Sequence, residues 1–253
     1  MPLFSKNMLI LDSVDSTNNY AMGMIQKGKA MDRIAVFARE QTNGKGRRGR
    51  QWLSSKDENI ILSICVQMQW QHVSQQFGLS MAAALGCIDL MSTYIPGGAT
   101  IKWPNDIFIN DTKAGGILIE NVIRGTLWQW SVIGIGLNIN QCQFADSSFK
   151  ATSLKLETGN EFDILKLSNE LYEFVLNRIA GLKEGEFENI LKEYNENLFA
   201  QGQLVKIKKD NFSFETTIIA VSSSGQLLTE DSIKRQFNFD EIKFVELVKP
   251  SKE

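Results

Sequence analysis

Apolar and polar positions along the chain recur with two different periods, and the switches between them mark its elements. Met8 to Leu11 and Ile34 to Ala38 are short apolar runs that read as strands. Between them Asp15-Ser16-Thr17-Asn18 supplies N-cap chemistry for a helix running to about Gly28. From Ile60 to Met68 every second residue is strongly apolar, while Ile61, Ser63, Cys65 and Gln67 share the other face, which predicts a long central or barrel-like strand. Phe77, Met81, Ala84, Leu85, Ile88 and Met91 then recur at helical spacing, so a helix is expected from about Val73 to Tyr94, stopped by Pro96-Gly97-Gly98.

Ile101 to Asp106 reads as a strand end turned by Pro104, and Asn110-Asp111 as a hairpin turn. Lys113-Ala114-Gly115-Gly116 opens a further strand, Ile117 to Val122. In Trp128 to Asn140, Ile133, Ile135, Leu137 and Ile139 share one face, and Gly134, Gly136 and Asn138 share the other. A glycine pair on one face of a strand leaves room for close approach by a ligand, a backbone or a crowded helix. Ile164, Leu167, Leu171, Val175, Ile179 and Leu182 mark a second long helix, with a shorter one from about Phe187 to Asn197. After Gln201 the pattern changes to short strands (Leu204 to Ile207, Phe212 to Val221, Gln226 to Leu228, Phe244 to Val248), which predicts a small all-β barrel over 200–253.

Composition narrows the function. The 253 residues carry 27 Lys and Arg against 29 Asp and Glu, a net charge of −2, which disfavours bulk nucleic-acid binding. Cys65, Cys87 and Cys142 are widely spaced and odd in number, which suits reduced thiols, and a single histidine, His72, disfavours a His-based metal site or a Ser-His-Asp triad. No signal peptide and no run of about 18 apolar residues is evident, so a soluble cytoplasmic protein is expected. Against this near-neutral background, Gln41 to Trp52 (QTNGKGRRGRQW) is a local concentration of glycine and cations. Such a loop is expected to stay mobile until an anion arrives, because glycine permits close backbone approach and guanidinium forks match phosphate or carboxylate oxygens. The same composition also suits a solvated surface loop. Lys45 is followed by Gly46 rather than by Ser or Thr, so a Walker-type NTPase is disfavoured. Turn chemistry alone accounts for Asn105 and Asp106, and helix capping alone for Asp15 to Asn18, so neither segment is assigned to a ligand by pattern.

Taken together, DSTN (Asp15 to Asn18), QTNGKGRRGRQW, KWPND (Lys102 to Asp106), KAGGILIE (Lys113 to Glu120) and GIGLNIN (Gly134 to Asn140) resemble, in order and spacing, the biotin protein ligases. The resemblance runs from about residue 10 to 140 and fits the C-terminal part more weakly. It implies an α+β fold: a catalytic domain (1–199) with a mixed β-sheet and helices mainly on one side, then an SH3-like β domain (200–253). It implies a two-step reaction in which biotin and Mg-ATP give biotinyl-5'-AMP and pyrophosphate, and a lysine of a biotin carboxyl carrier protein takes the biotinyl group. About ten residues precede the first motif, so the DNA-binding module of repressor relatives is expected to be absent.

Residue by residue, Ser16, Thr17, Asn18 and Gln41 resemble the positions that satisfy the ureido ring of biotin, with Lys45, Gly46 and Gly115 beside it. Arg47 and Lys113 resemble the groups that grip the biotin carboxylate and the ATP α-phosphate, and with Asp106, near the acceptor lysine, they form the expected catalytic set. Arg50, Trp52, Asn105 and Asn138 resemble nucleotide-side positions, and Mg2+ is expected with ATP rather than at a fixed protein site. Lys45 stands where many relatives carry arginine, and a point charge in place of a planar fork weakens retention of the adenylate. Lipoate-protein ligases share fold and chemistry, and a non-catalytic biotin-binding regulator is the other alternative. Relatives are monomers or dimers, so a homodimer is left open; neither DNA nor membrane is an expected partner.

Overall fold

The computed structural model describes residues 3–5, 7–144 and 150–248. In chain order its first part comprises β1 (Leu3–Ser5), β2 (Met8–Leu11), α1 (Thr17–Gln26), β3 (Ala35–Ala38), β4 (Asn59–Gln67), α2 (Gln76–Tyr94), β5 (Ala99–Lys102), β6 (Asp106–Ile109), β7 (Thr112–Arg124) and β8 (Leu127–Asn138). There follow α3 (Leu154–Thr158), α4 (Ile164–Lys183), α5 (Phe187–Glu196), β9 (Leu204–Lys209), β10 (Phe212–Val221), β11 (Leu227–Glu230), β12 (Lys234–Phe237) and β13 (Lys243–Leu247).

Eight strands form one mixed sheet in the order β1-β2-β3-β4-β8-β7-β6-β5, with β2 and β3 parallel and every other neighbouring pair antiparallel. The alternation in β4 and β8 decides what each face meets. Ile60, Leu62, Ile64, Ile133, Ile135 and Leu137 are buried in the main core shared with α2 and α4. On the opposite face Val36, Cys65 and Val132 pack under Ala21 of α1. Register on that face aligns Leu118, Gly134 and Ser63 in one row and Gly116, Gly136 and Ile61 in the next. These two rows, under the first turn of α1 and beyond it, form the floor of an opening.

The helical layer closes tightly. A Cβ on Gly86 of α2 would lie 2.9 Å from the Cα of Val175 in α4, so only glycine permits this crossing. Beside it Arg178 of α4 donates to both oxygens of Asp89 in α2 at 2.7 Å and to Glu193 of α5, joining three helices. The bonds to Asp89 raise the Arg178 pKa above its ordinary value, and Glu193 adds to this against the effect of burial. Arg178→Ala leaves two half-buried carboxylates facing each other, and chemical denaturation should record a loss of about 1–3 kcal/mol. An unchanged midpoint would mean that the pairs contribute no more than surface ones.

Val73–Tyr94 has the length and average composition of a membrane span, a point the absence of an unbroken apolar run obscures, and 72% of its apolar window is buried inside the protein. Packing against the sheet and α4 accounts for that apolarity.

The second sheet is antiparallel throughout, in the order β12-β11-β10-β9-β13. Its inward residues Val205, Ile207, Ile218, Val221, Leu227 and Phe237 join the main core rather than forming a separate one. Its turn at Gly225 docks on the first part: the Gly225 carbonyl accepts from Trp103 Nε1 at 2.9 Å, and a Cβ there would lie 2.8 Å from the Phe77 ring. The short elements β1, α3 and β12 fall outside the sequence expectation, and β7 runs longer than expected. β12, Lys-Arg-Gln-Phe, has only one large apolar residue and is recruited by pairing with β11 rather than by its own pattern.

Candidate active site

A cavity of about 330 Å³ lies between the polar face of the main sheet, the start of α1, the basic loop and the inner side of the second sheet. It has two chemically different ends.

At the neutral end Ser16, Thr17 and Asn18 are buried at the start of α1. Ser16 has the extended backbone of an N-cap, yet its side chain makes no capping bond and lines the cavity. Thr17 donates to Gln41 Oε1 through its backbone N at 2.7 Å and through Oγ1 at 3.1 Å. Asn18 Nδ2 donates to Glu120 Oε2 at 2.8 Å, and Ser63 Oγ lies 2.6 Å from Asn18 Oδ1 and 2.8 Å from Thr17 Oγ1. The network fixes where each donor and acceptor points, as a neutral, double-faced polar ligand requires. Gly134 makes it sterically feasible, since a Cβ there would sit 2.3 Å from Asn18 Oδ1. Gly136 does the same for Trp52, whose ring carbon Cε2 would be 2.5 Å from an added Cβ. The room on the glycine face is thus taken by two side chains of the chain itself.

At the cationic end the basic loop is folded back on itself, with Gly46 N donating to Arg50 O at 2.7 Å and Trp52 N to Gly44 O at 2.9 Å. Arg47 donates through Nη1 to Asn105 Oδ1 at 3.1 Å, and its guanidinium lies 5.3 Å from the centre of the Phe239 ring. Asp240 Oδ1 receives Arg48 Nε at 2.6 Å and Arg47 Nη2 at 3.5 Å. Burial, and after it the charge of Arg48, lowers the Arg47 pKa from the ordinary arginine value. Opposite, Lys113 Nζ is 2.6 Å from Asp106 Oδ1 and 5.9 Å from the centre of the Trp52 ring. Two cations from different segments therefore converge on one volume, the arrangement that stabilises charge gathering on phosphoryl oxygens.

The profile of the biotin/lipoate A/B protein ligase family matches residues 10–138, about half of the chain and all of the elements that build the cavity floor. The chain belongs to this family. Among individual proteins it is 33% identical over 137 residues to the bifunctional ligase/repressor BirA of Salmonella typhimurium, covering 54% of this chain and 42% of that one. It is 33% identical over 135 residues to the biotin–[acetyl-CoA-carboxylase] ligase of Mycobacterium tuberculosis, covering 52% and 49%. The chain thus spans less than half the length of these curated relatives. The fold extends further than the matched sequence: the biotin protein ligase of Aquifex aeolicus, solved in complex with biotin and ATP, superposes with a TM-score of 0.80 at 21% identity, covering 95% of this chain and 99% of that one.

Within this member of the biotin/lipoate ligase family, Ser16, Thr17, Asn18, Gln41, Lys45, Gly46, Arg47, Arg50, Trp52, Asn105, Asp106 and Lys113 all line the cavity. Gly115 and Asn138 do not. Gly115 is needed by packing, because a Cβ would meet Leu137 Cδ2 at 2.3 Å and Gly136 O at 2.8 Å, and Gly116 faces the cavity in its place. Asn138 is buried and donates to Thr152 O at 2.9 Å, bracing the segment after β8.

Residues given no role from the sequence complete the site: Lys102 and Asp240 on its lining, and Ser63 and Glu120 behind it, bonded to Asn18. Ser63 had a signal, a lone hydroxyl in a strand of apolar residues. Asp240 had none, since it enters from a turn of the second sheet. Among the described residues no group of three or more His, Cys, Asp or Glu converges. The buried thiol of Cys65 is pushed up to about 12, which leaves it unreactive at neutral pH.

Asp240→Asn weakens the hold on Arg47 and Arg48, and because the pairs are half-exposed the stability change should stay within about 1 kcal/mol. The measurable effect is on the loop. Trypsin should cut between residues 47 and 51 several-fold faster than in the unsubstituted protein, and equal rates would show that Asp240 does not restrain it.

Proposed function

We propose that this protein is an ATP-dependent biotin protein ligase that forms biotinyl-5'-AMP and transfers the biotinyl group to a lysine of a biotin carboxyl carrier protein. The observation that carries this is the union, in one cavity, of a neutral hydroxyl and amide network with a pair of converging cations. A ureido ring offers both donors and acceptors without charge, and each left unsatisfied costs about 1–3 kcal/mol on burial, so Thr17, Asn18 and Gln41, braced from behind by Ser63, suit that end. The valeryl tail then runs along the Trp52 ring, which covers Gly136, bringing its carboxylate to Arg47 and Lys113. A carboxylate oxygen attacks the α-phosphorus of Mg-ATP and pyrophosphate leaves; the two cations offset the repulsion between the anions. In the second step the amine of the carrier lysine attacks the acyl carbon, AMP departs, and Asp106 is assigned the amine's proton.

In this reading the catalytic domain spans 1–199, an SH3-like domain follows at 200–253, and the enzyme works in the cytoplasm as a monomer or a homodimer, without DNA. Mg2+ accompanies the nucleotide as part of the substrate. The test is incubation with biotin, Mg-ATP and a carrier domain, following pyrophosphate release and mass gain on the carrier, with lipoate in parallel. Both signals with biotin support the assignment. Turnover of lipoate alone would move the protein to the sister activity of its family, and no turnover of either would make it a binding protein.

A further inference from the structure

Lys102 ends β5 and lines the cavity at the side where the second sheet closes it. Its Nζ lies 4.1 Å from the centre of the Phe244 ring, 4.6 Å from that of Phe108 and 5.7 Å from that of Phe199. These rings come from β13, β6 and the segment before β9, so the box around the amine exists only when both sheets are assembled. Three ring faces favour a cation over a neutral amine, which argues against a role as a general base. The charged groups acting on Lys102 are Asp106 of β6 and Lys113 of β7, with Arg47, Asp240 and Lys243 elsewhere on the cavity wall.

Seven basic side chains and two carboxylates line the cavity among the described residues. The biotin carboxylate contributes a single negative charge, and Arg47 with Lys113 suffices for it and for the α-phosphate. The remaining positive charge calls for a polyanion lying toward the second sheet.

We propose that Lys102 is a binding residue for the departing polyphosphate of the nucleotide, held ready in an aromatic box and contacting the β- and γ-phosphates; this rests on the ligase reading above. The rings hold the cation, while burial of the amine works against it. Burial lowers the Lys102 pKa to about 8, with Asp106 pulling it up and Lys113 pushing it further down. A polyphosphate beside it restores the ordinary value, so nucleotide binding draws in a proton. Well below pH 8 the amine is charged before and after binding and affinity is full. Above pH 8 the free protein must first take up the proton, and affinity falls.

Calorimetric titration of the full chain with Mg-ATP, without biotin, in buffers of differing ionisation enthalpy reads that proton directly. At pH 8 uptake of about half a proton per nucleotide is expected, and the apparent Kd for Mg-ATP should rise about eightfold between pH 7.5 and 9. Lys102→Gln should abolish the uptake and weaken Mg-ATP about 10- to 100-fold, with biotin affinity changed by less than about twofold. Lys102→Arg, which keeps a permanent charge, should keep nucleotide binding but lose both the uptake and the pH dependence. Thermal unfolding of both variants confirms that they are folded, and the Arg variant stands as a test should the Gln variant not be. Uptake that persists in the variants, or biotin and nucleotide weakened equally, would overturn the proposal. The ligase reading fails separately, if the unsubstituted protein binds Mg-ATP with proton uptake yet releases no pyrophosphate when biotin is added.

Discussion

Lys113→Ala should lower the rate of pyrophosphate release from biotin and ATP by about 10²- to 10³-fold, the scale seen when one preorganised oxyanion donor is removed. The ammonium sits 2.6 Å from Asp106 Oδ1, which fixes its direction without neutralising the cavity, because Arg47 faces it from the basic loop. Its removal acts twice. The attacking carboxylate loses the charge that offsets its repulsion from the α-phosphate, and Asp106 is left as an uncompensated anion in the same volume. The double variant Lys113→Ala, Asp106→Asn separates the two effects: it should recover much of any rise in the KM for biotin and none of the loss in kcat. Single-turnover pyrophosphate release at saturating ATP is the measurement. A variant with raised KM and unaltered kcat would confine Lys113 to ground-state binding and sink the charge-convergence mechanism.

The second large effect is expected from a single methyl group. In Gly134→Ala the new Cβ would be placed 2.3 Å from Asn18 Oδ1 and 2.8 Å from its Cγ, distances that require Asn18 to leave its position. Asn18 cannot move alone, since it is tied to Ser63 and to Glu120 by bonds of 2.6 and 2.8 Å. With two or more of these polar groups misdirected, biotin affinity should fall about 10- to 100-fold, whereas Mg-ATP, bound at the far end, should keep its Kd within about twofold. Calorimetry with each ligand separately decides it. Biotin affinity within twofold of the unsubstituted protein would mean that the amide network is not the vitamin site.

Those two residues also mark how far the sequence could be read. The strand carrying Gly134 was legible because period-2 alternation of Ile133, Ile135 and Leu137 needs only local information, and so was the core helix of Phe77 to Met91. The bare face of the strand was legible as room, but its contents were not. Asn18 and Trp52 fill it from segments more than 80 residues away in sequence, and no local pattern records such a meeting. The basic loop declared its chemistry through composition, and resemblance of five ordered motifs placed most of the lining. Gly115 and Asn138, expected beside the ligand, lie off the cavity lining, where the same glycine and amide chemistry serves strand packing and a backbone brace. Asp240 was silent for the opposite reason: an aspartate in a turn looks the same whether or not two arginines end against it. Lys102 looked like an ordinary charged strand end until Phe108, Phe199 and Phe244 closed around it.

The contact between Arg47 and Asp240 joins residues 193 positions apart. The neutral end of the cavity draws on residues 16–63 and 118–134, whereas Asp240 and Phe244, near the end of the chain, wall the cationic end. In the proposed ligase a chain lacking its last strands would leave the cationic end of the cavity open to water, so the second sheet would act as the shield of the adenylate.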